Sequence, residues 1–334
     1  MRQLPQPDGE LLGEELTPQL AAGASRDSGL PGISDGRFAP SPTGPLHLGN
    51  LRTALLAWLF ARSAGARFLV RVEDLDFGRV RPGVEDQQLA DLAALGLEWD
   101  GPVARQSERM ELYEEAIEKL RTEGLLYPCY CSRKEIREAP SAPHGKAAEG
   151  IYPGTCRELT RTERRERERS GRSPALRLNA GGALRIGFED RLLGSRSGVV
   201  DDFVVRRNDG VPAYNLAVIV DDAAQGIGEV VRGADLVETT PRQILLARLL
   251  GIRQPGYAHV PLMLGPEGVR LAKRHGPVTL GERAALGESA RDVLGALAAS
   301  VGLDPGERPD AAELLRRFDP SLLATSAVRR TTTT

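Results

Sequence analysis

Three separated groups of residues in this 334-residue chain have types and spacings that could do chemistry. The first is the run RFAPSPTGPLHLGN from Arg37 to Asn50, where Gly44 and Gly49 flank His47. Glycines let a backbone approach a ligand closely, and a helix opening after such a turn offers N–H groups to an anion. His47 can donate a hydrogen bond where phosphate charge grows in a transition state. A lone histidine in a glycine-rich loop is more often structural, so the weight rests on the whole string. The second group is Cys129-Tyr130-Cys131 with Cys156, all three cysteines of the chain. Three soft donors make a structural zinc site once a fourth closes the tetrahedron, and Tyr152 and His144 are the nearby candidates. On chemistry alone His144 is the commoner partner, and unligated buried thiols are the plain alternative. The third group is the short basic loop from Arg270 to Arg274, which contains Lys273 and follows a Gly265–Gly268 turn.

These groups need elements to hold them. A short strand from Gly36, ended by Pro40 and Pro42, leads into the first turn. Leu51, Ala54, Leu55, Trp58 and Leu59 then recur at helical spacing, and the β-rich run Phe68–Val72 ends at Glu73-Asp74. Strand, helix and strand within about 40 residues make a βαβ unit, which implies a parallel sheet. Amphipathic helices are expected at 84–97 and 107–123. A second α/β pattern begins near Asp201, with Val218–Asp222 read as a strand ending in carboxylates. A helix over Pro241–Leu250, a strand over Tyr257–Leu264 and helices near 282–299 and 311–318 follow. The fold class is thus α/β, a doubly wound parallel sheet with an insertion and a short helical tail. The expected division is 1–34 as a disordered extension, 35–126 as the first half of a nucleotide-binding domain, and 127–200 as the zinc-bearing insertion. Residues 201–280 form the second half and 281–334 the tail. The stretch Arg157–Arg172 holds seven Arg and four Glu, a solvated helix or a basic edge that meets RNA phosphates.

The bulk numbers exclude several classes. Hydrophobic residues at 41% are enough for a sizeable interior, and no apolar run spans a bilayer. No secretory signal is visible, so a cytoplasmic protein is expected. A net charge of −2 gives no global nucleic-acid signature, and any RNA contact must be a local patch. Three cysteines, an odd count, argue against a disulfide framework.

The Arg37–Asn50 string resembles the nucleotide-binding signature of class I aminoacyl-tRNA synthetases, in the form of the glutamyl branch. That family has His at both ends of its four-residue core; here the core is His47-Leu48-Gly49-Asn50. The likeness runs from residue 36 to about 280. It implies that Arg37, with Phe38, Ala39, Pro40 and Ser41, binds glutamate, a bidentate Arg fork suiting a carboxylate. It implies that Glu73 holds the substrate ammonium and that Tyr214 and Arg232 complete the pocket at strand ends in both sheet halves. His47, Gly49, Asn50 and Lys273 are then the ATP-binding positions, His47 and Lys273 being catalytic. Lys273 corresponds to the second lysine of the family's Lys-Met-Ser-Lys-Ser loop, with Arg270 and Ala272 departing from it. Mg²⁺ is expected with ATP.

The order Cys-x-Cys, then Tyr-x-x-x-Cys, looks like the zinc insertion of the glutamyl-queuosine tRNA(Asp) synthetases, where tyrosine is the fourth ligand. By that likeness the metal set is Cys129, Cys131, Tyr152 and Cys156. Asn50, Leu236 and the 58 residues after Gly276, too few for an anticodon-reading region, point the same way. The resemblance implies an enzyme that activates L-glutamate with ATP and attaches it to queuosine in the anticodon loop of tRNA(Asp); a monomer is expected. A truncated enzyme charging a tRNA 3′ end and a non-catalytic binding module are the alternatives.

Overall fold

The computed structural model of the chain describes residues 35–138, 152–263, 278–307, 309–321 and 323. Five strands come from the first part of the fold: β1 (Asp35–Phe38), β2 (Phe68–Val72), β3 (Ala104–Arg105), β4 (Leu126–Cys129) and β5 (Ala175–Leu178). Five follow: β6 (Leu184–Asp190), β7 (Gly194–Val200), β8 (Phe203–Arg206), β9 (Ile227–Gly233) and β10 (Gly256–Val260). The helices are α1 (Leu48–Ser63), α2 (Val84–Ala94), α3 (Met110–Thr122), α4 (Arg133–Glu138) and α5 (Arg161–Arg169). After them come α6 (Tyr214–Ala224), α7 (Thr240–Leu250), α8 (Leu280–Ala285), α9 (Ala290–Ala299) and α10 (Ala311–Arg317).

Seven strands form one sheet in the order β3-β2-β1-β9-β10-β6-β7, parallel except for the β6–β7 hairpin. All five residues of β2 are buried, as a parallel strand covered on both faces requires. Ten of the sixteen residues of α1 are buried, because this helix lies against β1 and β9 and is covered in turn by α9 and α10. A second sheet, β4-β5-β8, is antiparallel and carries the cysteines at its edge.

Two readings of the sequence need correction. Val218–Asp222 is not a strand; it lies inside α6. Leu216 to Asp222 are all buried there, so no polar face shows and the β-branched run mimics a buried strand. Gly226, left-handed at φ 70°, follows the end of this helix and was the readable stop signal. Tyr214 consequently opens a helix and does not end a strand. The division at residue 200 also does not follow the sheets: β6 and β7, before it, join the large sheet, and β8, after it, joins the small one. The readings made for residues 1–34, His144, Arg270, Ala272 and Lys273 lie outside the described residues.

Candidate active site

Parallel strands leave their carboxyl ends open to a ligand at one edge of the sheet. Arg37 and Arg232 are each the second-last residue of their strand, β1 and β9, and Glu73 directly follows β2. Together with Phe38, Ala39, Pro40, Ser41, His47, Gly49, Asn50 and Tyr214 they line a single cavity of about 490 Å³. Every described residue assigned from the sequence to glutamate or ATP therefore faces the same space.

The turn into α1 explains its own residues. His47 is the N-cap, its Nδ1 accepting from the Asn50 N–H at 3.2 Å while Asn50 Oδ1 accepts from the His47 N–H at 3.2 Å. This reciprocal cap satisfies two backbone donors that a helix start would otherwise leave open. It also places the proton of a neutral imidazole on Nε2. A methyl group at Gly49 would stand 3.0 Å from the His47 ring, so only glycine leaves the ring in place. Gln88, buried beside the cavity, pins the loop, its amide donating to the carbonyls of Ser41 (3.0 Å) and Gly44 (2.7 Å).

The charged groups are paired in advance. Arg37 Nε and Nη2 donate to the two carboxylate oxygens of Asp222 at 3.2 and 3.5 Å. Arg71, fully buried in β2, donates to Asp222 at 2.8 Å and reaches Glu73 at 3.4 Å and Asp221 at 3.6 Å. Asp221 is also held by Arg109 at 2.6 Å and by the Tyr113 hydroxyl. Three arginines thus face three carboxylates in one buried network. Burial alone would raise the Asp222 carboxyl, but Arg37 and Arg71 outweigh it and hold it below its ordinary range. Glu73 goes the other way: burial pushes it up against the pull of Arg71 and Arg37. Arg71, Asp222 and Gln88 were not singled out from the sequence. A charged residue within the apolar run Phe68–Val72 was the available signal for Arg71.

The cysteines form a second site away from this cavity. The Sγ atoms of Cys129, Cys131 and Cys156 lie within 4.8 Å of one another, with Cys131 and Cys156 at 3.4 Å. The Tyr152 hydroxyl oxygen is 3.4 Å from Cys129 Sγ and 3.7 Å from Cys131 Sγ. Tetrahedral zinc with sulfur at ~2.3 Å and oxygen at ~2.0 Å has edges of roughly 3.5–3.8 Å. The donor set fits one such ion. Hydrogen bonding from Cys129 lowers the Cys156 thiol to about 6, toward the thiolate that binds metal.

The catalytic-domain model of the class I tRNA synthetases (E and Q) matches residues 35–295. The chain is 60% identical over 290 residues to the glutamyl-Q tRNA(Asp) synthetase of Nocardia farcinica, covering 86% of this chain and 90% of the relative. With the enzyme of the same name from Symbiobacterium thermophilum the identity is 52% over 311 residues, 88% and 95% of the two chains. Among solved structures, a glutamate-tRNA synthetase from Elizabethkingia anophelis superposes with a TM-score of 0.77 at 30% identity, over 90% of this chain. A glutamate tRNA ligase from Elizabethkingia meningosepticum, in complex with its amino acid, gives 0.74 at 30% identity over 87%. This chain spans 68% and 65% of those two structures. With its cleft, its sheet order and these likenesses in agreement, the chain belongs to the glutamyl-Q tRNA(Asp) synthetase family, on the class I catalytic domain of the E and Q synthetases.

Proposed function

We propose that this chain activates L-glutamate with ATP, without needing tRNA, and transfers the glutamyl group to the queuosine base in the anticodon loop of tRNA(Asp). The observation that carries the reading is one cavity lined by Arg37, Glu73, Tyr214 and Arg232 beside the His47 turn. Arginine forks meet the carboxylates of glutamate, and Glu73 meets its ammonium. The α-carboxylate oxygen attacks the α-phosphorus of ATP, the bond to the bridging oxygen breaks, and pyrophosphate leaves. Glutamyl-adenylate remains, a mixed anhydride whose acyl carbon the acceptor base attacks with release of AMP. His47 Nε2–H, the backbone at Gly49 and Asn50, and Lys273 by its place in the sequence meet the phosphate charge as it develops. Mg²⁺ accompanying ATP would neutralise part of that charge.

Zinc, held by Cys129, Cys131, Tyr152 and Cys156, is a structural ion in this reading. Its support is the convergence of the Tyr152 oxygen on the sulfurs. The insertion around it, from 127 onward, faces the acceptor side. All assigned cleft residues come from one chain, so the reaction needs no second copy and a monomer suffices. An RNA substrate sets the enzyme in the cytoplasm. No helix among the described residues is long and apolar enough to cross a membrane.

Glutamate-dependent exchange of pyrophosphate into ATP, run without tRNA, tests the first half; no exchange with the purified protein and magnesium would sink it. Transfer to tRNA(Asp) whose terminal ribose has been oxidised with periodate tests the second. Loss of transfer on such tRNA would point to the 3′ end as acceptor.

A further inference from the structure

Arg37 and Arg232 reach the same cavity with different partners. Arg37 is neutralised directly by Asp222. Arg232, only 5% exposed, donates Nε to His259 Nε2 (3.0 Å), Nη1 to Gln243 Oε1 (2.7 Å) and Nη2 to Thr240 Oγ1 (2.8 Å). None of those three acceptors is an anion. A guanidinium has five N–H donors, so three bonds leave two for a ligand.

Behind His259 stands Asp190, whose Oδ2 lies 2.5 Å from His259 Nδ1. The three residues cross three neighbouring strands: Asp190 ends β6, His259 is in β10, and His259 pairs in register with Arg232 of β9. Asp190 and His259 are completely buried in their side chains. Asp190 Oδ1 also accepts from the N–H groups of Leu192 (3.0 Å) and Leu193 (2.9 Å), which fixes the carboxylate at the hairpin. An imidazole that accepts from Arg232 on Nε2 must carry its proton on Nδ1, and Asp190 is the group that selects this tautomer.

We propose that Asp190 and His259 are positioning residues for Arg232, an imidazole relay that holds its guanidinium toward the glutamate carboxylate while keeping the countercharge one ring away. A carboxylate in direct contact with Arg232 would compete with the substrate for the fork. A neutral imidazole orients the fork without cancelling its charge, which makes Arg232 the stronger carboxylate anchor of the two arginines. This deepens the proposed glutamate activation and rests on it.

Asp190→Asn is the informative change. With its oxygen kept by the Leu192 and Leu193 amides, its NH₂ faces His259 Nδ1 and drives the proton to Nε2, opposite the Arg232 Nε–H. In tRNA-independent pyrophosphate exchange the KM for glutamate should then rise by roughly tenfold, the loss of one hydrogen bond to a charged group, with the KM for ATP unchanged. Long-range ¹H–¹⁵N correlation on histidine-labelled protein should show Nδ1 protonated at His259 in the unaltered chain and Nε2 protonated in the variant. Equal losses for both substrates, an unchanged KM for glutamate, or an Nε2–H tautomer in the unaltered chain would overturn the relay. An unaltered chain without any glutamate-dependent exchange would sink the functional reading instead, and the tautomer would still decide the relay.

Discussion

The cleft and the cysteine site are assembled over very different spans of chain. Arg37 meets Asp222 across 185 residues, and Arg71 meets Asp222 across 151. At the cysteine site the Tyr130 N–H reaches the Cys156 sulfur across 26 residues and Tyr152 reaches Cys129 across 23. The buried network beside the cleft balances its own charges, Arg37, Arg71 and Arg109 against Glu73, Asp221 and Asp222, so removing one group strands the others inside the protein. The cysteine site gathers donors that bind a cation best when they lose protons, so the zinc proposed for it would have to come from outside. A site built from distant elements is therefore vulnerable to mutation, and a metal site built locally is vulnerable to chelation.

The largest effect that would sharpen this contrast is on stability. Asp222→Ala leaves Arg37 and Arg71 short of their shared buried carboxylate and should cost about 3 kcal/mol or more. Urea unfolding of the variant measures it, and a loss below about 1 kcal/mol would mean that the network is not cohesive. Next in size is metal removal. Stripping the proposed zinc with a chelator should lower the melting temperature while glutamate-dependent exchange persists, because no residue of the cysteine site lines the cavity. If exchange collapses with the metal, the two regions are coupled and the contrast fails.

A smaller effect concerns pH. Glu73 must be ionised to hold an ammonium, and burial raises its pKa, so protonation begins at a higher pH than for an ordinary glutamate. The KM for glutamate should rise as pH falls through that displaced pKa and flatten again at higher pH. Glu73→Gln should abolish the dependence along with most of the affinity; a profile without this limb would remove Glu73 from the ammonium site. Smallest is Asn50→Ala, which deletes the return bond to the His47 N–H. It should cost about 1 kcal/mol of stability and lower kcat with little change in the KM for glutamate. A change in the KM for ATP alone would instead give Asn50 a direct contact with the nucleotide.

Much of the catalytic unit could be read along the chain. The strands at Asp35–Phe38 and Phe68–Val72 and the helix between them announce themselves by period and by proline and glycine breaks. α6 could not be read this way, since a helix buried on nearly every side has no polar stripe to report its period. Arg37 and Arg232 were visible as residues, but their partners were not. Asp222 looked like the end of a strand, and His259 and Asp190 looked like nothing at all.

By itself the sequence determined the local geometry: the helix cap that His47, Gly49 and Asn50 make among themselves, and the close spacing of the cysteines with Tyr152. Neighbours in sequence are neighbours in space, so residue type and interval suffice there. Only the tertiary structure decided which charge faces which, because strand order places β9 between β1 and β10 and sets Arg232 beside His259. Pairings across that many residues depend on how the whole sheet closes, and no short window of chain carries them.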